Sequence, residues 1–200
     1  MDRNLAIRLG KCVVVIAAAC ACSVAMTASA DAQTRHHISI GIGYSKLLSD
    51  DLKDESLSVD FTNAAHAGLA YRYSLNPQVD LTIDSQATVS TDNVAGVDLT
   101  LTNSFFGPGV RYNMASDSPR PFLQANVFYV SETAEAEQGG VRISGSDSGA
   151  GFGLTGGIDI RMTPLLSLPI TVHYLEGKPA DDVSGIGFNI ALAFNFGGSL

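Results

Sequence analysis

Tryptophan is absent from this chain, and lysine occurs at only four positions, Lys11, Lys46, Lys53 and Lys178. The cysteines, Cys12, Cys20 and Cys22, all fall near the start. A protein that loses that segment has no thiol, which removes disulfides, zinc–thiolate sites and a cysteine nucleophile together. Cations are scarce throughout, with 12 Lys and Arg against 20 Asp and Glu. Such a balance offers no basic patch to nucleic acid. Beyond Met26 no apolar run approaches the roughly 20 residues of a membrane-spanning helix, and no window carries a helical apolar stripe.

The one long apolar run reads as an export signal. Arg3, Arg8 and Lys11 precede "CVVVIAAACACSVAM" (12–26), and the small residues of "TASADAQ" follow. That order of basic, apolar and small-residue regions predicts a secretory signal peptide over 1–32, cut after Ala30 or Ala32. The run is short for an anchor, and "AAAC" at Cys20 is a poorer processing site than the A-x-A sites downstream. Arg3, Arg8, Lys11, Asp2 and Asp31 leave with the segment, so the net charge moves from −8 to −9.

What remains alternates with period two. Strands are predicted at 36–46, 67–75, 78–89, 97–113, 121–130, 151–162, 166–175 and 185–196. Long connections (47–66, 90–96, 131–150, 176–184) take turns with short ones (76–77, 114–120, 163–165). An up-and-down antiparallel meander with loops at one end and tight turns at the other is the pattern of an outer-membrane barrel.

A soluble lipocalin-like barrel has the same period with its apolar side inward, so residue types must decide which face is inside. One face carries Ile38, Ile40, Ile42, Leu69, Val79, Leu81, Ile83, Leu99, Leu101, Val127, Leu154, Ile158, Ile160, Ile170 and Val172. The other carries Ser39, Gly41, Gly43, Gly68, Ala70, Gly107, Gly109 and Gly153 among Arg72, Asp80, Asp84, Arg111, Asp159 and Arg161. A solvated outer face favours Thr, Lys and Glu over glycine, which weakens a strand, whereas a narrow interior needs small residues and a few charges that pair.

Aromatics supply a second test. Tyr44, Tyr129, Phe152, Tyr174 and Phe188 fall near the loop end, and Tyr73, Tyr112, Phe122, Phe194 and Phe196 near the turn end. Two belts around an aliphatic band match the two interfaces of a bilayer. In 97–113 the phase slips between Thr102 and Phe106, which predicts a β-bulge near 103–105.

The stretches "GPGVRYNM", "PRPFLQANVFYV", "SDSGAGFGLTGGIDIRMTP" and "GFNIALAFNF" resemble the eight-stranded outer-membrane β-barrel family, the OmpX/OmpA-like and opacity-type porin domain. The resemblance implies an all-β, eight-stranded antiparallel transmembrane barrel in the outer membrane of a Gram-negative-type cell, over 33–200. It also implies a final strand read by the barrel-assembly machinery, although "GGSL" follows Phe196 where that family usually ends on an aromatic.

Buried charges must pair or cost several kcal/mol each, so Arg72, Arg111 and Arg161 with Asp80, Asp84 and Asp159 are expected to form a lumen network. A structural or surface-interaction role follows, with a narrow channel or small-solute transporter as the alternative. A lipid A-modifying enzyme is a weaker one: His173 with Glu176 is its only candidate constellation, and Leu175 stands where the deacylase pattern has serine. No cofactor is expected. His36 and His37 read as a solvated terminus without a third metal ligand. The acidic connections (Asp50, Asp51, Asp54, Glu55, Asp60, Asp92, Glu132, Glu135, Glu137, Asp147, Glu176, Asp181, Asp182) are candidates to collect divalent cations at a lipopolysaccharide surface. Intact-mass measurement of the exported protein is expected to place its first residue at Asp31 or Gln33; a mass retaining residues 1–30 would overturn the signal assignment.

Overall fold

A strand in a bilayer must have every backbone N–H and C=O paired, so an alternating meander with its apolar face in lipid is driven to close on itself. The computed structural model describes residues 36–48, 53–54, 59–178 and 183–196. The segment 1–32 and the carboxylates Asp50, Asp51, Glu55, Asp181 and Asp182 lie outside the described residues. The strands are β1 (His36–Leu47), β2 (Lys53–Asp54), β3 (Val59–Asp60), β4 (Asn63–Ser74), β5 (Val79–Val94), β6 (Val97–Asn113), β7 (Arg120–Gln138), β8 (Val141–Arg161), β9 (Leu166–Lys178) and β10 (Val183–Phe196). Eight of them close as β1-β10-β9-β8-β7-β6-β5-β4, while β2 and β3 pair separately between β1 and β4. All neighbours in the barrel are antiparallel, and β10 meets β1 from His36↔Phe196 to Leu47↔Gly185.

The register fixes the bore. A walk across the strands from His36 through Tyr73, Leu81, Val110, Ala125, Leu154, Tyr174 and Ile186 returns to β1 at Lys46, a stagger of ten residues. With standard strand spacings, eight strands and that stagger give a tilt of about 40° and an interior that side chains fill.

The barrel is apolar outside and polar inside. Ile38, Ile40, Ile42, Leu69, Leu81, Ile83, Val127, Leu154 and Ile158 are exposed, Ile42 at 74%, whereas Ser39, Arg72, Asp80, Asp84, Asn103, Arg111 and Asn126 are buried. That inversion excludes the lipocalin-like arrangement, because so large a continuous apolar band is stable only against lipid. Tyr44 pairs across from Phe188 at one rim of the band, and Phe196 lies across from His36 at the other. At that lower rim His36 stacks on Phe196 and reaches Tyr71 Oη at 2.6 Å.

Three expectations are corrected. The pairing of β6 with β5 and β7 keeps one register along its length, so no bulge occurs at 103–105; only the β7 pairs at Gly107 and Pro108 are missing, since proline donates no hydrogen bond. Leu99 and Leu101 therefore face inward with Arg111, and Leu101 is buried. Val79 has the outward parity of Leu81 but is buried beside the 75–79 turn. Finally, 90–96 and 131–150 are not loops. The hairpins continue to tight turns at Ala95-Gly96 and Gly139-Gly140, all four residues at positive φ, and β7 pairs β8 up to Gln138↔Val141. Their both-faces-polar sequence hides the alternation because both faces are in water there.

Close strand contact is set by glycine. A Cβ on Gly43 would meet the Phe188 carbonyl of β10 inside contact distance, whereas one on Gly145 in the β7–β8 hairpin would meet nothing. Gly43→Val is expected to remove most of the compact, heat-modifiable species on unheated gels, and Gly145→Val to leave it unchanged.

Candidate functional site

Inward side chains arrange in levels, and the turn end is charged. Asp159 on β8 receives three guanidiniums at Oδ2: Arg111 Nη2 at 3.0 Å, Arg72 Nη1 at 3.2 Å and Arg120 Nη2 at 3.3 Å. Asp80 lies 3.7 Å from Arg111 Nε and 3.9 Å from Arg72 Nη1. It accepts hydrogen bonds from Ser74 Oγ at 2.7 Å and Asn113 Nδ2 at 3.1 Å. Arg111 also donates from Nε to Asn113 and lies 3.4 Å over the Phe122 ring. All these side chains except Arg120 are buried, so Coulomb attraction acts with little screening and each carboxylate has the cation that burial demands.

Two residues assigned by sequence sit elsewhere. Arg161 shares the parity of Asp159 but lies one pair beyond the lumen and is exposed; Arg120, at the start of β7, occupies the third position instead. Phe122 is 3% exposed and forms part of this floor, not of an outer aromatic belt. Its parity is that of Gln124 and Asn126, which was the available signal. The other nine aromatics have the outward parity, seven of them exposed and Tyr73 and Tyr174 half-buried, and Phe106 joins them at the level of Tyr129. His37 is buried rather than solvated: Nδ1 donates to Asn195 Oδ1 at 2.5 Å, and Nε2 lies 3.2 Å from Ser74 Oγ.

Above the floor, Asp84 accepts hydrogen bonds at Oδ2 from Asn126 Nδ2 at 2.7 Å and Gln124 Nε2 at 3.0 Å. Higher still, Ser45 Oγ lies 3.2 Å from His173 Nε2 and 3.5 Å from His66 Nδ1, with the two imidazole centroids 4.3 Å apart and the rings tilted by 32°. Glu176 turns away and accepts the Tyr174 hydroxyl at 2.8 Å, so His173 lacks the acid expected of it. At the loop end Phe105, Phe128, Val130, Leu175 and Val183 form one apolar cluster and Leu47, Ala64 and Leu101 another. Among the described residues no group of three His, Cys, Asp or Glu converges as metal ligands.

A family model described as the outer membrane protein beta-barrel domain matches residues 14–196. The chain belongs to that family. As an outer membrane β-barrel it is similar in fold to solved structures of low sequence identity. Ail, the attachment invasion locus protein of Yersinia pestis, in complex with the heparin analogue sucrose octasulfate, matches at 17% identity and a TM-score of 0.60 over 82% of this chain and 99% of that one. Neisserial surface protein A matches at 17% and 0.62 over 80% and 97%. OprG of Pseudomonas aeruginosa matches at 10% and 0.52 over 82% and 96%. No curated protein matches this barrel by sequence.

Removing one member of a buried ion cluster leaves the rest uncompensated, which costs about 3–5 kcal/mol. Asp159→Asn is expected to lower barrel stability by that amount in urea titrations, and Arg161→Ala, outside the cluster, by less than about 0.5 kcal/mol.

Proposed function

We propose that this outer-membrane barrel is a non-catalytic envelope protein with a closed lumen, acting through the hairpins that project past the apolar band. The observation that carries this reading is closure at two levels. The Asp159–arginine floor shuts the turn end, and the Phe105–Phe128–Val130 cluster shuts the loop end. An eight-stranded bore is narrow enough for side chains to fill at both levels.

The projecting segments, 90–102 and 130–150, contain six carboxylates (Asp92, Asp98, Glu132, Glu135, Glu137, Asp147) and one cation, Arg142, which pairs with Glu135. Their charge favours a basic partner, or divalent cations bridging to lipopolysaccharide, over a sulfated sugar such as the heparin analogue sucrose octasulfate of the Ail complex. Export by a cleaved signal over 1–32 and recognition of β10 by the assembly machinery complete the proposal. A catalytic role for His173 has little support, since its nearest polar groups are Ser45 and His66 beneath the apolar cluster.

A narrow channel is the second reading, favoured by the polar space between the two closures. Purified barrel in planar bilayers is expected to be electrically silent, and to pass through a heparin column unretained. Conductance steps that change in Arg111→Ala would establish the channel instead. Heparin retention would overturn the charge argument.

A further inference from the structure

Three polar residues stand directly beneath the apolar plug at the loop end. Ser45 on β1, His66 on β4 and His173 on β9 are all buried, and the Ser45 hydroxyl is within reach of both rings, 3.2 Å from His173 Nε2 and 3.5 Å from His66 Nδ1. Each lies two positions along its strand, and so on the same face, from a residue of the plug: Ser45 from Leu47, His66 from Ala64 and His173 from Leu175. The set therefore underlies both apolar clusters. It has little slack. A Cβ on Gly187 of β10 would press on His173 Nε2 and Ser45 Oγ, and one on Gly153 of β8 would lie 2.6 Å from the Phe128 ring and 2.9 Å from Leu175 Cδ2.

The two rings share one hydroxyl and no carboxylate. A serine hydroxyl has one proton, so it accepts from one imidazole while donating to an unprotonated nitrogen of the other. Protonating both rings removes that acceptor and places like charges on rings whose centroids are 4.3 Å apart. The strands around them bring no counter-charge. His66 pairs with Gly43 and Thr88, and His173 with Thr155 and Gly187. Glu176 turns outward to Tyr174, and Lys46 is exposed on the outer face. Asp92 and Glu132 stand farther out, beyond Thr88 on β5 and Val130 on β7. Asp84, Arg72 and Arg111 border a cavity of about 70 Å³ that His173 also lines. The arginines are committed to Asp80 and Asp159. Asp84 is held by Gln124 and Asn126, and it pairs with Ala70, about 13 Å along β4 from His66 at the ordinary strand rise.

We infer that Ser45, His66 and His173 form an acid-released latch for the loop-end closure. Neutral rings hold β1, β4 and β9 together under the plug; protonated rings part, and Leu47, Ala64 and Leu175 loosen with them. This goes beyond the closed lumen proposed above and shares only its loop-end closure. Conductance is not its readout, because the floor holds no part of the latch. His37, the other buried histidine, belongs to the floor, bonded to Asn195 and Ser74.

The test is NMR of the barrel in zwitterionic micelles at about pH 7.5 and about pH 4, on either side of the ordinary imidazole value of roughly 6.5. Across that interval the ring nitrogens of His66 and His173 are expected to take imidazolium shifts. The methyl signals of Leu47, Leu101 and Leu175 are expected to lose about half their intensity as exchange broadens them, while those of the lipid-facing Ile42 hold. A His66→Gln, His173→Gln double variant is expected to keep its plug signals at both pH values, and Asp84→Asn to respond as the wild type does. Rings that stay neutral at about pH 4, or that protonate while the plug methyls keep position and intensity, would overturn the latch, and neither reading needs a variant. A response lost in a folded Asp84→Asn would also overturn it, by assigning the proton to the carboxylate.

Discussion

The bore of the barrel governs everything inside it. Eight strands with a ten-residue stagger enclose a narrow space filled largely by side chains, so inward polar groups must satisfy one another. Asp159 shows how demanding that is. A single carboxylate oxygen receives three guanidiniums from β4, β6 and β7, and these tie together strands that are not all neighbours in the sheet. The backbone ladder closes the cylinder, and this cluster crosses it.

Different levels solve the same problem with different chemistry. At the floor, charges are matched and further held by Ser74, Asn113 and the Phe122 face. At the loop end, Phe105 and Phe128 meet edge to face at 5.8 Å and exclude water by packing alone. Beyond that plug the constraint lapses. The β7–β8 hairpin is wet on both faces, and Val141 and Ile143 are exposed among serines and glycines.

Most of the barrel was legible because a membrane fixes what each face must be. Small and charged residues alternating with Ile and Leu identified strand number, inside and outside. Arg72, Asp80, Arg111 and Asp159 share the inward parity and meet at the floor, whereas Asp84 shares it too but stands outside the ion pairs expected of it, held by the amides of Gln124 and Asn126. The misses have specific causes. Phe122 and Leu101 look lipid-facing by residue type, but parity places them with Gln124 and Arg111, and the backbone obeys parity. Arg161 obeys parity and fails on depth, which one sequence does not encode. Arg120 precedes a proline and reads as turn. The hairpins carry no alternation, because nothing apolar waits on either side of them. The adjoining rings of His66 and His173 come from β4 and β9, strands that are not neighbours, and no local pattern announces that meeting.

The two closures also differ in how they could be breached. Separating Asp159 from its arginines without new partners strands several buried charges at once, and the penalty rises with each one left dry. Rearranging Phe105, Phe128 and Val130 exposes apolar surface at a cost that grows gradually with area. The order of chemistry along the axis is apolar at the loop end, mixed polar around Asp84, Gln86 and Asn189, and ionic at Asp80 and Asp159, and the asymmetry follows from where each strand places its few large side chains.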